Sequence, residues 1–359
     1  MELRMTEKIG FKIAGSASAF PGPITSPKGK TYDKVTNEAI FETLLGEDWP
    51  TKCEALGLSP EYPEKVVGLK ERYWTHWPGT PISHDETMAA DLATEACQKA
   101  LAAANLKAND IDLFVLATTS PLKITSSTAG AVEARLGMEA PGIELKAGCS
   151  SGLYALMTAF SYMRMGAKRV LVCAAETLSK FAPPQAKEAV FNVADGAGAL
   201  ILESCADGAT LKSAMLSMNG ELGEKLIGTP GLLPPTVEAV ERGQYFYAGD
   251  PKGLKETALE KYGAVFKAIL PDAGIEASDL ALYIPHQVNL ALIKGVAQMA
   301  QIPEEKVFVN IQKYGNFGSA TMLVALHEAK TEGRIKKGDH VALGVVGGGL
   351  TWGGAVIEF

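Results

Sequence analysis

The sequence predicts an α/β protein built from two related halves. Short apolar runs that read as buried strands alternate with longer segments of helical period, a helix-then-strand unit occurs twice, and small-residue turns follow equivalent elements in both copies.

Taken in order, the first apolar stretch contains Lys8 and Lys12. Although Ala17-Ser18-Ala19 resembles a cleavage site, the uninterrupted apolar core of a signal peptide is therefore missing. Residues 20–33 are rich in Pro, Gly, Thr and Lys, and residues 49–63 carry three prolines, so both read as loops near a site. Residues 88–104 have helical periodicity, and residues 111–118 form a short apolar run of the kind expected for a buried strand. Residues 170–175 and 280–284 repeat that strand pattern. Asp195-Gly-Ala-Gly-Ala reads as a tight turn before a strand.

The unit at 86–118 recurs at 254–287, displaced by about 169 residues. A displacement of 167 sets Lys146-Ala-Gly-Cys-Ser-Ser-Gly on Lys313-Tyr-Gly-Asn-Phe-Gly-Ser, and one of 171 sets Val170-Leu-Val-Cys on Val341-Ala-Leu-Gly. Two halves, 1–207 and 208–359, are the simplest organisation. Packed about a pseudo-twofold axis, they bring equivalent loops together at its centre. Cys149 then faces Asn316, and His286 arrives from the end of a second-half strand.

The 359 residues are 47% hydrophobic, enough for one large core or two modest ones, and they carry a formal charge of −7 without a basic stripe. Nucleic acid is therefore an unlikely partner by charge. No run approaches the roughly 18 apolar residues of a membrane span. Five scattered cysteines without C-x-x-C spacing point to thiols in a reducing compartment, not to disulfides or a metal site, so a soluble cytoplasmic protein is expected.

Cys149 precedes an apolar helical stretch, where unpaired N–H groups and the helix dipole favour a thiolate; this predicts a lowered pKa and a nucleophile. Cys53, Cys97, Cys173 and Cys205 read as packing residues. His286, in Tyr-Ile-Pro-His-Gln-Val-Asn, lies just beyond a strand, at the sheet edge where sites form. His76, His84, His327 and His340 have no comparable context. Asn316 lies between glycines, and its amide can donate to a developing oxyanion but cannot accept a proton at neutral pH. Gly347-Gly348-Gly349 allows close backbone approach. Neither G-x-G-x-x-G nor a P-loop is present. Gly148-Cys-Ser-Ser-Gly152 also fits the hydrolase pattern G-x-S-x-G with Ser150 as nucleophile, but a hydrolase of that class does not repeat its layout in two halves.

Together these segments resemble β-ketoacyl synthase III of the thiolase superfamily over nearly the whole chain. The match rests on Gly68-Leu-Lys-Glu-Arg72, Ala117-Thr-Thr-Ser, Ala147-Gly-Cys-Ser-Ser-Gly, Pro285-His-Gln-Val-Asn289, Gly315-Asn-Phe-Gly-Ser-Ala and Gly347-Gly-Gly-Leu-Thr-Trp-Gly. The resemblance implies a five-layered αβαβα fold and a homodimer. It makes Cys149 the acylated nucleophile, its N–H and that of Gly348 an oxyanion hole, and His286 and Asn316 donors to the thioester oxygen of a malonyl substrate. It implies a coenzyme A thioester as substrate, with no tightly bound cofactor and no metal, and acyl carrier protein as a partner. Trp49 aligns with a contact to the coenzyme adenine, and Ile124 with a residue the partner subunit lends to the acyl pocket.

The chain departs from the family pattern in places. An extra proline-containing stretch separates Trp49 from Gly68, and the position five beyond His286, often basic, is Ala291, with Lys294 the nearest cation. Ala117 stands where relatives that make hydroxymethylglutaryl-coenzyme A need a glutamate. No glutamate is evident around Lys123, where the head-to-head condensing branch carries one. The alternatives are acyl transfer to an alcohol or amine on the same fold, a Cys-His-Asn hydrolase, and a non-catalytic subunit of a heterodimer.

Overall fold

In the computed structural model, the described residues are 2–359 apart from 57–58, 84, 184–186, 228–235 and 247–248. His84 therefore lies outside them. Ten strands form the main sheet: β1 (Glu2–Met5), β2 (Ile9–Ala19), β3 (Leu113–Ala117), β4 (Gly142–Leu145), β5 (Arg169–Thr177), β6 (Asp195–Ser204), β7 (Ala209–Met218), β8 (Leu280–Pro285), β9 (His340–Gly347) and β10 (Thr351–Glu358). Their order is β8-β9-β10-β7-β2-β6-β5-β3-β4, with β1 added on β7. Outward from the β7–β2 contact, each side runs through two antiparallel pairings before a parallel one.

The registers bear on the internal repeat. Leu113 pairs with Val170 in the first half and Leu282 with Val341 in the second, which are the displacements of 169 and 171 seen in the sequence. Ala17-Ser18-Ala19 belongs to β2, paired to β6.

Side chains alternate across these strands, as a sheet covered on both faces requires. From β3 and β5, Val115, Ala117, Val172 and Ala174 enter the central core, while Phe114, Leu116, Leu171 and Cys173 pack outward against α1 (Ala89–Ala104) and α2 (Thr128–Leu136). The central core holds α3 (Ser151–Arg164) and α6 (Thr321–Thr331) between the half-sheets. On the far side, Ala342 and Val356 face α4 (Pro251–Ala273) and α5 (Leu290–Met299). The result is the αβαβα layering.

Two expectations need correction. Residues 49–63, read as a loop from their prolines, contain a helix at Trp49–Ala55, and Pro63 opens a π-helical turn at Pro63–Val67. Pro50 sits in the first turn, where its missing N–H would have no intrahelical partner anyway. Asp195-Gly-Ala-Gly-Ala opens β6 instead of forming a turn. Its glycines serve close packing: a Cβ on Gly198 would meet Val324 of α6 at 2.9 Å.

Candidate active site

The loops ahead of α3 and α6 meet at the centre of the layers. A Cβ on Gly152, in the first turn of α3, would lie 2.3 Å from the carbonyl oxygen of Ser319, so backbone packs on backbone there. Gly148 has φ +58°, and a Cβ on it would lie 2.4–2.8 Å from backbone atoms of Gly348. Only glycine fits both that conformation and that approach. Thr351 Oγ1 donates to Ala147 O at 2.6 Å, tying the closing glycine turn to the Cys149 loop.

Cys149 stands just before α3, and the backbone N–H groups of Cys149 and Gly348 act to lower the pKa of its thiol. The expected low thiol pKa is not found. Although the residue is partly exposed, burial of the thiol and then the nearby Glu176 carboxylate push it up to about 12, outweighing the two N–H groups. In the free protein Cys149 is thus a protonated thiol.

Glu176 was not anticipated. At the end of β5 and fully buried, it accepts from Thr119 N–H at 2.9 and 3.0 Å, Ser120 Oγ at 2.7 Å and Ser319 Oγ at 2.5 Å. It therefore bridges the end of the first-half strand to the Asn316 loop. Burial raises its pKa, while the bonds from Ser319, Ser120 and Thr119 oppose that rise. A charged residue directly after an apolar strand run was the available signal.

His286 follows β8, its N–H bonded to Gly344 O at 2.8 Å. The next residue holds the turn rigid: Gln287 Nε2 donates to Pro285 O and Phe308 O, both at 3.0 Å, and Gln287 Oε1 accepts from Asn310 N–H at 3.0 Å. The ring's Nδ1 lies 2.6 Å from Thr321 Oγ1, whereas Nε2 is buried without a partner. Burial pushes the imidazole down to about 4, so it is neutral at physiological pH.

Asn316 is buried, and its Oδ1 accepts from Gly318 N–H at 3.0 Å. That bond fixes the amide orientation and leaves Nδ2 as the free donor. Ala194 N–H donates to Asn316 O at 2.8 Å, and Asn316 N–H to Asn192 O at 3.1 Å, anchoring the turn to the approach to β6.

The other expected residues are placed differently. Ser150 Oγ donates to Thr351 O at 3.2 Å and is fully buried, so the hydroxyl required by the hydrolase pattern is engaged with backbone. Trp49 stacks on Phe41 with ring centroids 5.0 Å apart, in a cluster with Trp74 and Phe191. Ile124 is 62% exposed on the single chain. Lys294 pairs with Glu304 at 3.2 Å. His76 contacts Glu86 and His327 contacts Ser16. Among the described residues no helix is long and apolar enough to cross a membrane.

A two-half αβαβα fold with a cysteine, a histidine and an asparagine at its centre defines a thiolase-like acyltransferase. Residues 143–220 match the family model described as 3-oxoacyl-[acyl-carrier-protein (ACP)] synthase III, and residues 270–359 match the model of its C-terminal part. The β-ketoacyl-[acyl-carrier-protein] synthase III of Aquifex aeolicus is 36% identical over 82% of this chain and 93% of its own. That of Caldanaerobacter subterraneus is 32% identical over 99% of both chains. The crystal structure of the Aquifex aeolicus 3-oxoacyl-[acyl-carrier-protein] synthase III superposes with a TM-score of 0.81 at 32% identity, covering 98% of this chain and 100% of that one. The chain belongs to the β-ketoacyl-[acyl-carrier-protein] synthase III family.

Proposed function

We propose that this protein condenses an acyl group from a coenzyme A thioester with a malonyl thioester, in two half-reactions that share Cys149. In the first, the Cys149 sulfur attacks the acyl carbonyl, the carbonyl oxygen charge falls to the N–H groups of Cys149 and Gly348, and coenzyme A leaves as its thiol with the proton that Cys149 gives up. In the second, the malonyl thioester loses carbon dioxide. The enolate oxygen is held by His286 Nε2–H and Asn316 Nδ2–H while the enolate carbon attacks acyl-Cys149, releasing the β-ketoacyl thioester and the Cys149 thiolate, which takes up a proton from solvent.

The observation that carries this reading is the anchored amide of Asn316. With Oδ1 held by Gly318 N–H, the amide group left free is a donor, and the Nε2 of His286 is likewise buried without a partner. A pair of donors suits an enolate. The low pKa of His286, about 4, also argues for condensation over transfer to an alcohol or amine, because so weak a base gains little by deprotonating an acceptor.

The two halves are taken as 1–207 and 208–359. A homodimer is the assembly this reading needs, since Ile124 would wall the partner's acyl pocket, and its exposure on the single chain suits that role. The extender arrives on acyl carrier protein or coenzyme A in the cytoplasm, and no cofactor is retained. Trp49 has one ring face occupied by Phe41, which leaves only the other for an adenine. Intact-mass and peptide mapping after exposure to acyl-coenzyme A tests the reading: one acyl group on Cys149 is expected, and an adduct on Cys97 or Cys173 with Cys149 clean contradicts it.

A further inference from the structure

Condensation as proposed requires the Asn316 amide to point its N–H at the substrate oxygen, and the amide is aimed by the backbone of a turn. We infer that Glu176 is the positioning residue for that turn, holding it through the hydroxyl of Ser319; this rests on the condensing reading above. Neither half-reaction uses the Glu176 carboxyl directly, although it is fully buried at the centre of the layers.

The contacts begin at the end of the first-half strand. Thr119 N–H at 2.9 and 3.0 Å, Thr119 Oγ1 at 2.9 Å and Ser120 Oγ at 2.7 Å donate to the carboxylate and fix it from one side. From the other side Ser319 Oγ donates to Oε1 at 2.5 Å, and among the described residues that hydroxyl has no other hydrogen bond. Ser319 is the middle residue of the 3₁₀ turn Gly318–Ala320. The carboxyl also lies along the residue before it: a Cβ on Gly318 would stand 3.5 Å from Glu176 Cγ and 3.7 Å from Oε1. Gly318 N–H is the group that holds Asn316 Oδ1, at 3.0 Å. Glu176 therefore places the backbone on which the aim of the amide depends.

A carboxylate away from water is costly unless its oxygens are bonded, and the partners here are hydroxyls and an N–H group, not cations. So expensive a group joins the end of the first-half strand to the Asn316 turn and to nothing else the mechanism needs. The backbone of Asn316 is tied separately, to Asn192 O and Ala194 N–H. Loss of the Ser319 bond thus leaves the residue in place and loosens the aim of its side chain. The first half-reaction relies on Cys149 and Gly348 and asks nothing of that amide, so the bridge is specific to the second.

The test measures acylation of Cys149 from acyl-coenzyme A and carbon dioxide release from malonyl thioester, both on the full-length enzyme. Ser319→Ala is expected to acylate within about two-fold of the parent and to release carbon dioxide about 10-fold more slowly at saturating malonyl thioester, less than the loss of an oxyanion donor outright because the amide is misaimed and not removed. In an Asn316→Ala background the same change should cost less than about two-fold, since the amide it serves is gone. A merely structural role would slow both half-reactions and add its cost in either background. Glu176→Ala, which removes the acceptor of the same bond, should show the same split. Carbon dioxide release by Ser319→Ala at the parental rate, or the full loss repeated in the Asn316→Ala background, overturns the inference. If Ser319→Ala does not fold, Glu176→Ala decides by the same split, and failure of both to fold overturns the inference as well. A parent that acylates but releases no carbon dioxide overturns the condensing reading and this inference with it, whereas a parent that condenses beside an unimpaired Ser319→Ala overturns the inference alone.

Discussion

The turn that carries Cys149 and the turn that carries Asn316 lie at matching places, each ahead of a central helix, and each uses glycines at positive φ, Gly148 in one and Gly315 and Gly318 in the other. Their chemistry differs. The first turn, with Gly348 packed against it, sets backbone N–H groups to favour the charged form of a side chain, the thiol of Cys149. The second uses backbone to aim a side-chain donor outward, with Gly318 N–H holding the amide oxygen of Asn316. The preceding strand ends diverge likewise: Ala117 ends β3, whereas the matching place after β8 is His286. On the proposed reading, one repeated scaffold supplies a nucleophile from one copy and a donor pair from the other.

The sharpest way to break this comparison is to remove the nucleophile. Cys149→Ala should give no acyl-enzyme by intact mass, even at long times and high acyl-coenzyme A; any covalent adduct retained at parental yield would move the nucleophile elsewhere.

The second-half donors should behave differently. His286→Ala and Asn316→Ala are each expected to retain measurable acylation while losing about 10² to 10³ in decarboxylation, roughly 3–4 kcal/mol of transition-state stabilisation. Variants that condense at the parental rate would end the assignment of the second turn as a donor pair.

The Cys149 turn packs on the closing glycine turn through Gly148 and Gly348, and Gly148→Ala tests that contact. The new methyl group meets backbone 2.4–2.8 Å away in a left-handed conformation, so a cost of roughly 1–3 kcal/mol is expected in denaturant unfolding. Slower acylation should accompany it.

A further effect concerns pH. His286 is held down to about 4 in the folded protein against an ordinary value of 6.5. Its contribution is fully present above 6.5 and is lost as pH falls toward 4, because the unfolded chain takes up a proton that the folded protein refuses. The loss amounts to about 3 kcal/mol at most. Urea unfolding at pH 7 and pH 4.5 should show this decline in the parent and less of it in His286→Asn.

Much of this arrangement was legible before any coordinates. The strand runs, their alternation and the repeat displacements follow from period and burial; Cys149 and Asn316 stand in turns whose small residues mark close approach, and His286 stands directly beyond an apolar strand. The rest depended on tertiary environment. The lowered thiol pKa followed from the helix start alone, and the enclosing core and Glu176, which is 27 residues away in sequence, reverse it. The helix at Trp49–Ala55 was hidden because a proline in a first turn is indistinguishable by composition from one in a loop. Thr321 directly follows the asparagine motif, with nothing local to show that its hydroxyl meets a ring 35 positions earlier.

The central claim is that the second turn stabilises an enolate and not an acceptor nucleophile. Acyl-primed enzyme given labelled malonyl thioester, with and without candidate alcohols, tests it in one assay. Release of labelled carbon dioxide with formation of a β-ketoacyl product, unaffected by the alcohol, is the predicted result. Label remaining as malonyl across primers from acetyl to long-chain, together with rapid discharge of acyl-Cys149 to the alcohol, would contradict it.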